Sequence, residues 1–239
     1  MTYIFKEETK PKSKTALIMC TYIRLTNMPK ILNRLKDQTN KDFDFYISNN
    51  SNNKDNKLIA YFAKYGKELG FNSYIKNYGN EYKMFSRFYL ARELAEQGYE
   101  RIIFVDDDQV LPKSFIQDCY DQYDPAYVKS FYAHKFDDDY WDKVRLVDGQ
   151  DGNYAGGGGL LCPSELFLHD NFFDVPEGYY IIDDLWLSHY ILAFTKYKIR
   201  LLKTDIQFIY DDKATFVGLE DMKRNFCYEY ITRKEKTNG

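Results

Sequence analysis

Short apolar runs alternate with helical patterns through the first half of the chain, and this rhythm limits the fold more than any other feature. The predicted strands are 16–20, 43–48, 72–76 and 101–105, and the predicted helices are 28–35, 54–67, 82–97 and 114–122. Continuous apolar runs are typical of strands buried on both faces, and intervening helices connect parallel strands. We therefore predict an α/β fold with a Rossmann-like, mostly parallel central sheet flanked by helices.

The rhythm changes after Pro112, and the sequence predicts a mixed C-terminal half. A strand-like stretch at 126–134 is followed by a charged region, the glycine run 156–159 and a helix from 183 to about 194. No linker interrupts the chain, so we expect residues 1–239 to form one domain. The Lys-rich ends, through Lys14 and from about Thr232, are expected to be solvated tails.

Charge and composition disfavour two classes of protein. The 239 residues carry a formal charge of −3, whereas nucleic-acid binders are usually basic, so no nucleic-acid partner is expected. No apolar run approaches the ~20 residues that span a bilayer, and the charged first residues are unlike a signal peptide. The four cysteines form no C-x-x-C pair, which predicts free thiols in a soluble, cytoplasmic protein that is at most peripheral to a membrane.

Three carboxylates, Asp106, Asp107 and Asp108, follow directly on the predicted strand 101–105. Ligands of open parallel sheets bind beyond the carboxyl ends of strands. Adjacent acids repel one another unless a positive charge lies among them, and a divalent cation shared with substrate phosphates meets that need. The alternative is a solvated acidic turn that precedes the next helix.

Two later motifs carry chemistry as well. The run Gly156–Gly159 allows a backbone to approach a ligand closely, although a flexible hairpin remains the alternative. Asp183 and Asp184 open a predicted helix, where they are either a cap or a general base and its neighbour. Trp186 either stacks on a sugar or belongs to the core.

Taken in order, these blocks resemble GT-A-fold glycosyltransferases, and most of all the broad glycosyltransferase family 2 group. Residues 17–24 and 35–39 resemble the family's first strand, its T-x-x-R turn and the L-x-x-Q-T end of a helix. Residues 44–51 resemble its second strand and base-binding loop, 106–108 its D-x-D motif, and 183–184 its E-D pair. The resemblance extends well over 16–112 and more loosely to about residue 198.

The resemblance implies a role for each block. Residues of about 15–112 would form a nucleotide-sugar-binding half, and about 113–235 an acceptor-binding half. Expected donor contacts are Thr21, Tyr22, Arg24, Asn49, Asn50, Arg87, Asp106, Asp107, Gly157 and Gly158. Asp108, with Asp106, would bind Mn²⁺ or Mg²⁺, and His189 or Asp211 could add a late third ligand. Asp184 would be the catalytic base beside Asp183. Asn49 and Asn50 replace the acid that often ends the family's second strand, which leaves the base preference open.

The expected function is therefore a metal-dependent, inverting transfer of one sugar from a nucleotide diphosphate sugar, foremost a UDP-sugar. The acceptor would be a hydroxyl of a glycan or another molecule, as in glycan biosynthesis. One alternative is a sugar nucleotidyltransferase, although the loop 21–24 lacks the glycines that such enzymes carry there. The other is a carbohydrate-binding module without activity.

Overall fold

The computed structural model describes residues 2–5, 13–22, 24–51, 60, 62, 64, 69, 71–137, 139–209 and 218–232. The strands are β1 (Thr2–Phe5), β2 (Thr15–Thr21), β3 (Asp44–Asn49), β4 (Ser73–Asn77), β5 (Arg101–Asp106), β6 (Gln109–Val110), β7 (Tyr127–Ser130), β8 (Ala133–Lys135), β9 (Val144–Arg145), β10 (Tyr154–Ala155), β11 (Leu160–Pro163), β12 (Lys198–Leu201) and β13 (Gln207–Phe208). The α-helices are α1 (Met28–Lys36), α2 (Ser86–Glu96), α3 (Phe115–Gln122), α4 (Asp183–Phe194) and α5 (Glu220–Phe226), the last continued by a π-helical turn over Cys227–Thr232.

The described strands form a central sheet in the order β1-β4-β3-β2-β5-β11-β7-β12. The strands β2, β3, β4 and β5 are parallel to their neighbours among themselves, as predicted. In the second half β11 runs antiparallel between β5 and β7, and β12 is parallel to β7. The predicted α/β class, its mostly parallel sheet and its mixed C-terminal half are therefore confirmed.

Alternate residues of each central strand pack on opposite faces of the sheet. On β2, Ala16 and Ile18 contact the core under α2 and α4, while Leu17 and Met19 face the core under α1 and α3. All of these side chains are fully buried. Burial on both faces explains why the strand reads as one unbroken apolar run.

Two predictions about strands are wrong. Residues 2–5, expected within a solvated tail, form the edge strand β1, which pairs antiparallel with β4. The stretch 126–134, expected as one strand, divides into β7 of the central sheet and β8 of a small sheet ordered β10-β8-β9. The chain turns between them because the Phe131 amide donates to Gly159 O at 2.8 Å and the Tyr132 amide to Ser130 Oγ at 3.0 Å.

Other predicted elements lie partly outside the described residues. Most of the predicted helix 54–67 does so, although residues 60, 62 and 64 are helical and Phe62 is buried. The stretch beyond Thr232 also lies outside them. Within the described chain, no helix combines the length and the apolar character required to cross a membrane.

The parallel strands end together at one edge of the sheet. Thr21 and Asn49 pair across β2 and β3, and Cys20 pairs with Asp106 across β2 and β5. Because β11 is antiparallel to β5, its amino end meets the same edge, with Leu160 opposite Phe104. The acidic turn after β5 and the glycine run before β11 therefore face each other.

Candidate active site

A cleft of about 600 Å³ opens at this edge of the sheet. Its walls include nine of the residues expected from the sequence: Arg24, Arg87, Asp106, Asp107, Asp108, Gly157, Gly158, Asp183 and Asp184. They come from the turns after β2 and β5, the loop before β11 and the starts of α2 and α4. The fold thus brings together groups that are up to 160 positions apart in the chain (Arg24 to Asp184).

Asp107 is the inward-facing member of the acidic cluster. It is 6% exposed, and its Oδ2 accepts hydrogen bonds from Thr21 Oγ1 at 3.0 Å and from the Tyr22 amide at 3.4 Å. Burial raises the pKa of Asp107, while Arg24, 3.2 Å from its Oδ1, opposes that rise. These hydrogen bonds from Thr21 and Tyr22 hold the acidic turn against the end of β2. Neither residue lines the cleft.

Asp108 shares the Arg24 guanidinium with Asp107. Arg24 Nη1 lies 3.2 Å from Asp108 Oδ2. Burial raises the pKa of Asp108 to about 6, the neighbouring Asp106 adds to the rise, and Arg24 counteracts it. The side chains of Asp108 and Asp106 stay 25% and 31% exposed, so both carboxylates are open to the cleft.

Arg87 is the second cation among the acids, and it is 2% exposed. Its Nη1 donates to Asp106 Oδ1 at 3.0 Å and to Gly157 O at 3.1 Å. Its Nε lies 3.1 Å from Asp183 Oδ2. Burial alone would lower the pKa of Arg87, but Asp183 and Asp106 outweigh it and raise the pKa. Arg87 therefore joins the two acidic motifs from inside the protein.

The glycine run closes over the acidic turn because it lacks side chains. A Cβ at Gly158 would overlap Asp106 Oδ2 and lie 2.5 Å from Gln109 Nε2. Gly159 has φ +69, a left-handed conformation that favours glycine, and its amide donates to Phe104 O at 2.9 Å. The run therefore packs closely on the end of β5 and the turn that follows it, and its approach to a ligand stays a prediction.

Asp183 and Asp184 differ sharply in their surroundings. Asp183 is 5% exposed, and its Oδ2 accepts no hydrogen bond from the described residues despite the ion pair with Arg87. Burial raises the pKa of Asp183 to about 7, with Arg87 opposing the rise. The N-cap of α4 is Ile182, so the alternative of Asp183 as the helix cap is wrong.

Asp184 lines the same cleft as the acids after β5, and aromatic and basic residues surround it. Its Oδ1 accepts from the Leu185 amide at 2.9 Å, and its Oδ2 accepts from the hydroxyl of Tyr154. Tyr140 donates to Tyr154 Oη at 3.3 Å, which extends the chain of hydroxyls. Burial, followed by the charge of Asp184, raises the pKa of Tyr154, so this hydroxyl stays protonated and holds the carboxylate.

Asn49 and Asn50 lie outside the cleft, and both are 1% exposed. Asn49 Nδ2 donates to Asn77 Oδ1 at 2.7 Å. Asn50 Nδ2 donates to Lys83 O at 2.7 Å, and its Oδ1 accepts from Ser86 Oγ at 2.6 Å. In this structure their amides join β3 to β4 and to the start of α2.

Two further expected residues, Trp186 and His189, do not line the cleft. Trp186 is buried and donates its Nε1 hydrogen to Phe172 O at 2.7 Å, which favours the core interpretation over sugar stacking. His189 is buried with its Nδ1 3.0 Å from Tyr230 O and does not line the cleft. Asp211, the other candidate for a late metal ligand, lies outside the described residues.

The carboxylates after β5 suit a divalent cation whose remaining ligands come from the substrate. Mg²⁺ and similar ions often bind through one or two carboxylates plus substrate phosphates, and Asp106 and Asp108 both face the cleft. Within the described ranges, no group of three His, Cys, Asp or Glu side chains could hold a metal by itself. The donor set therefore suits an ion shared with a ligand.

Sequence reasoning missed several residues of the site. Gln109 accepts from the Asp106 amide through Oε1 at 3.0 Å and fixes the turn that carries the acids. Tyr154, Tyr140, Lys143 and Lys223 surround Asp184. Of these residues, only Gln109 could have been found from the sequence, because it stands three positions after Asp106. With 23 Tyr and 33 Lys plus Arg in the chain, single tyrosines and lysines do not stand out.

The chain matches no protein-family model and no curated protein. Solved structures are similar over most of the chain. The mannosyltransferase PcManGT from Pyrobaculum calidifontis, solved with GDP-Man and Mn²⁺, has a TM-score of 0.60 at 13% identity and covers 82% of this chain. TarS 1-349 from S. aureus has a TM-score of 0.57 with UDP-GlcNAc and 0.54 with UDP, both at 15% identity, covering 85% and 80% of this chain.

The fold is that of the GT-A glycosyltransferases. The chain spans 56–60% of the length of these solved chains. The expected GT-A architecture is thereby confirmed. The cleft lies where β2 and β5, two neighbouring parallel strands of the central sheet, end side by side.

Proposed function

We propose that this protein is a metal-dependent, inverting glycosyltransferase that moves one sugar from a nucleotide diphosphate sugar, foremost a UDP-sugar, to an acceptor hydroxyl. One observation carries the proposal: a single cleft in a GT-A fold is lined by the partly exposed carboxylates of Asp106 and Asp108 and by Asp184. The similar solved structures, with UDP, UDP-GlcNAc or GDP-Man, support a nucleotide-sugar donor.

The end of the cleft after β5 would bind the donor. Asp108 and Asp106 would hold Mn²⁺ or Mg²⁺, which stabilises negative charge on the departing diphosphate when it is bound. Arg24 keeps Asp108 in place, and Gln109 and Arg87 keep Asp106 in place. Gly157 and Gly158 let the backbone lie directly against Arg87, Asp106 and Gln109, so their backbone would border the donor.

The Asp184 end would bind the acceptor. The carboxylate takes the proton of the acceptor hydroxyl as that oxygen bonds to the anomeric carbon. The bond between the anomeric carbon and the phosphate oxygen breaks, and the nucleoside diphosphate leaves with the electron pair. Because attack comes from the face opposite the leaving group, the anomeric configuration inverts. The hydrogen bonds from Tyr154 and the Leu185 amide aim the carboxylate.

Calorimetric titration with UDP, GDP, CDP and TDP, each with and without Mn²⁺, tests the donor end. We expect one diphosphate to bind only with metal, and Asp108→Asn to weaken that binding at least about tenfold, the effect of losing a charge-assisted contact. Asp121→Asn, an exposed acid on α3, is the matched control. A folded protein that binds none of the four nucleotides would refute the proposal.

A further inference from the structure

Two lysines meet around one tyrosine ring beside Asp184. Lys143 Nζ lies 3.8 Å from the ring centroid of Tyr140 and 4.9 Å from that of Trp141. Lys223 Nζ lies 5.2 Å from the Tyr140 centroid. Lys143 follows the turn that contains both rings, whereas Lys223 comes from α5. Two separate segments thus deliver ammonium groups to the same wall of the cleft.

This pair lacks the carboxylate partners that the arginines of the cleft have. Arg24 and Arg87 each lie within 3.2 Å of two carboxylates. Among the described residues, neither Lys143 nor Lys223 makes an ion pair. Burial and the charge of Lys223 lower the pKa of Lys143. Burial also disfavours charge on Lys223, but Asp184 and Tyr140 more than offset it and raise its pKa.

Two ammonium groups therefore lie near the carboxylate of Asp184. Asp184 is the carboxylate that raises the pKa of Lys223 most, and burial lowers the pKa of the nearby His134, which favours its neutral form. When Asp184 takes a proton from the acceptor, the two ammonium groups lose that negative charge. An anion bound between them would compensate this loss, because opposite charges attract strongly where water is partly excluded.

Exposed aromatic rings line the cleft, and one of them, Trp141, lies beside Lys143. Trp141 is 42% exposed and Tyr132 is 36% exposed, and both line the cleft. Aromatic faces bind the apolar C–H face of a sugar ring and leave its hydroxyls in water. The wall thus combines a platform for a sugar with a site for negative charge.

We propose that Lys143 and Lys223, with the rings of Tyr140 and Trp141, form an acceptor subsite for a saccharide that carries an anionic group, either a phosphate or a carboxylate. The inference rests on the proposed function, since it assigns the Asp184 end of the cleft to the acceptor. It adds the chemical class of that acceptor.

Ligand-observed NMR titration of the full chain tests it, with glucose 6-phosphate, glucuronate and uncharged glucose as probes. We expect either anionic sugar to bind at least about tenfold more tightly than glucose, as one charge-assisted contact predicts. The double variant Lys143→Met/Lys223→Met should lose this preference, and Lys143→Arg/Lys223→Arg should keep it. Lys113→Met, whose lysine lies on the surface outside the cleft, is the control.

A parallel titration with UDP and Mn²⁺ separates this inference from the proposed function. Retained nucleotide binding by the Met double variant, together with its loss of anion preference, would support the subsite. Equal binding of glucose and both anionic sugars by the wild type would overturn it, as would a double variant that loses nucleotide binding and keeps the preference. An anion preference in a protein that binds no nucleotide would support the subsite and refute the transferase.

Discussion

Arg87 and Asp183 form an ion pair of 3.1 Å in the interior of the protein, with side chains only 2% and 7% exposed. Arg87 is the second residue of α2, and Asp183 is the first residue of α4. The same guanidinium holds Asp106 at the end of β5. Through Arg87, the two acidic motifs of the cleft are therefore connected by buried ion pairs.

Replacing Arg87 should destabilise the fold strongly. Arg87→Met leaves Asp183 and Asp106 without their shared cation, and breaking a buried pair from one side typically costs about 3–5 kcal/mol. Urea unfolding measures the loss. Arg92→Met removes an arginine of the same helix whose ion pairs lie at the surface, where a loss of under about 1 kcal/mol is expected. Equal losses of unfolding free energy in the two variants would show that the buried ion pairs contribute no more to stability than the surface ones.

Stability should fall as pH rises toward neutrality, and Asp183 should account for part of the fall. Its pKa is raised to about 7 in the folded protein, so between the ordinary carboxyl value and about 7 the folded state binds a proton that the unfolded state has lost. Its contribution is complete below that window and is lost as pH rises through about 7. Urea unfolding at about pH 5 and about pH 8 should show a smaller change in Asp183→Asn than in the wild type. An unchanged difference between the two proteins across this range would contradict the raised pKa.

Gly158→Ala should damage the donor end of the cleft. The new Cβ would overlap Asp106 Oδ2, so the carboxylate or the cover of the cleft must shift. Overpacking of this kind costs about 1–3 kcal/mol, and we expect metal-dependent nucleotide binding to weaken at least about tenfold in calorimetry. Gly178→Ala is the matched control, because a Cβ there meets nothing within 4 Å. Identical binding by both variants would show that Asp106 tolerates displacement.

Asp184→Asn should separate donor binding from transfer. The amide keeps the size of the side chain but cannot take a proton, and general-base catalysis typically contributes about 10²–10⁴-fold. We expect the rate of sugar transfer to fall by at least about a hundredfold while nucleotide binding stays within about twofold. Asp170→Asn, an exposed acid on the surface, should leave both unchanged. Wild-type transfer by Asp184→Asn would remove this residue as the base.

Features determined by local pattern were predictable from the sequence. The predicted strands match β2, β3, β4 and β5 within one or two residues. For β2, β3 and β5 the reason is that strands buried on both faces carry long apolar runs. The position of the acidic turn at the edge of the sheet was predictable because Asp106, Asp107 and Asp108 directly follow an apolar run. The helix from 183 to about 194 was also predicted, and α4 has these bounds.

Features determined by distant partners were not predictable. The ion pair between Arg87 and Asp183 joins residues 96 positions apart in the chain, so no local pattern reveals it. The expected contact of Arg87 with a donor phosphate stays a prediction. The break between β7 and β8 depends on Gly159. No local pattern reveals which lysines line a cleft, so Lys143 and Lys223 were missed.

The chain segment that carries Tyr132, Trp141 and Lys143 has its two ends close together. The Gly156 amide donates to Tyr132 O at 3.1 Å, and Gly156 O accepts from Ser130 Oγ at 2.9 Å. Loop-closure entropy grows slowly with length when the ends are held together in this way. Phe136, Tyr140, Leu146 and Tyr154 anchor this stretch in the core, so only its exposed turns can change in length at small cost to the sheet. Under the proposed function, those turns are the place to engineer a new acceptor preference.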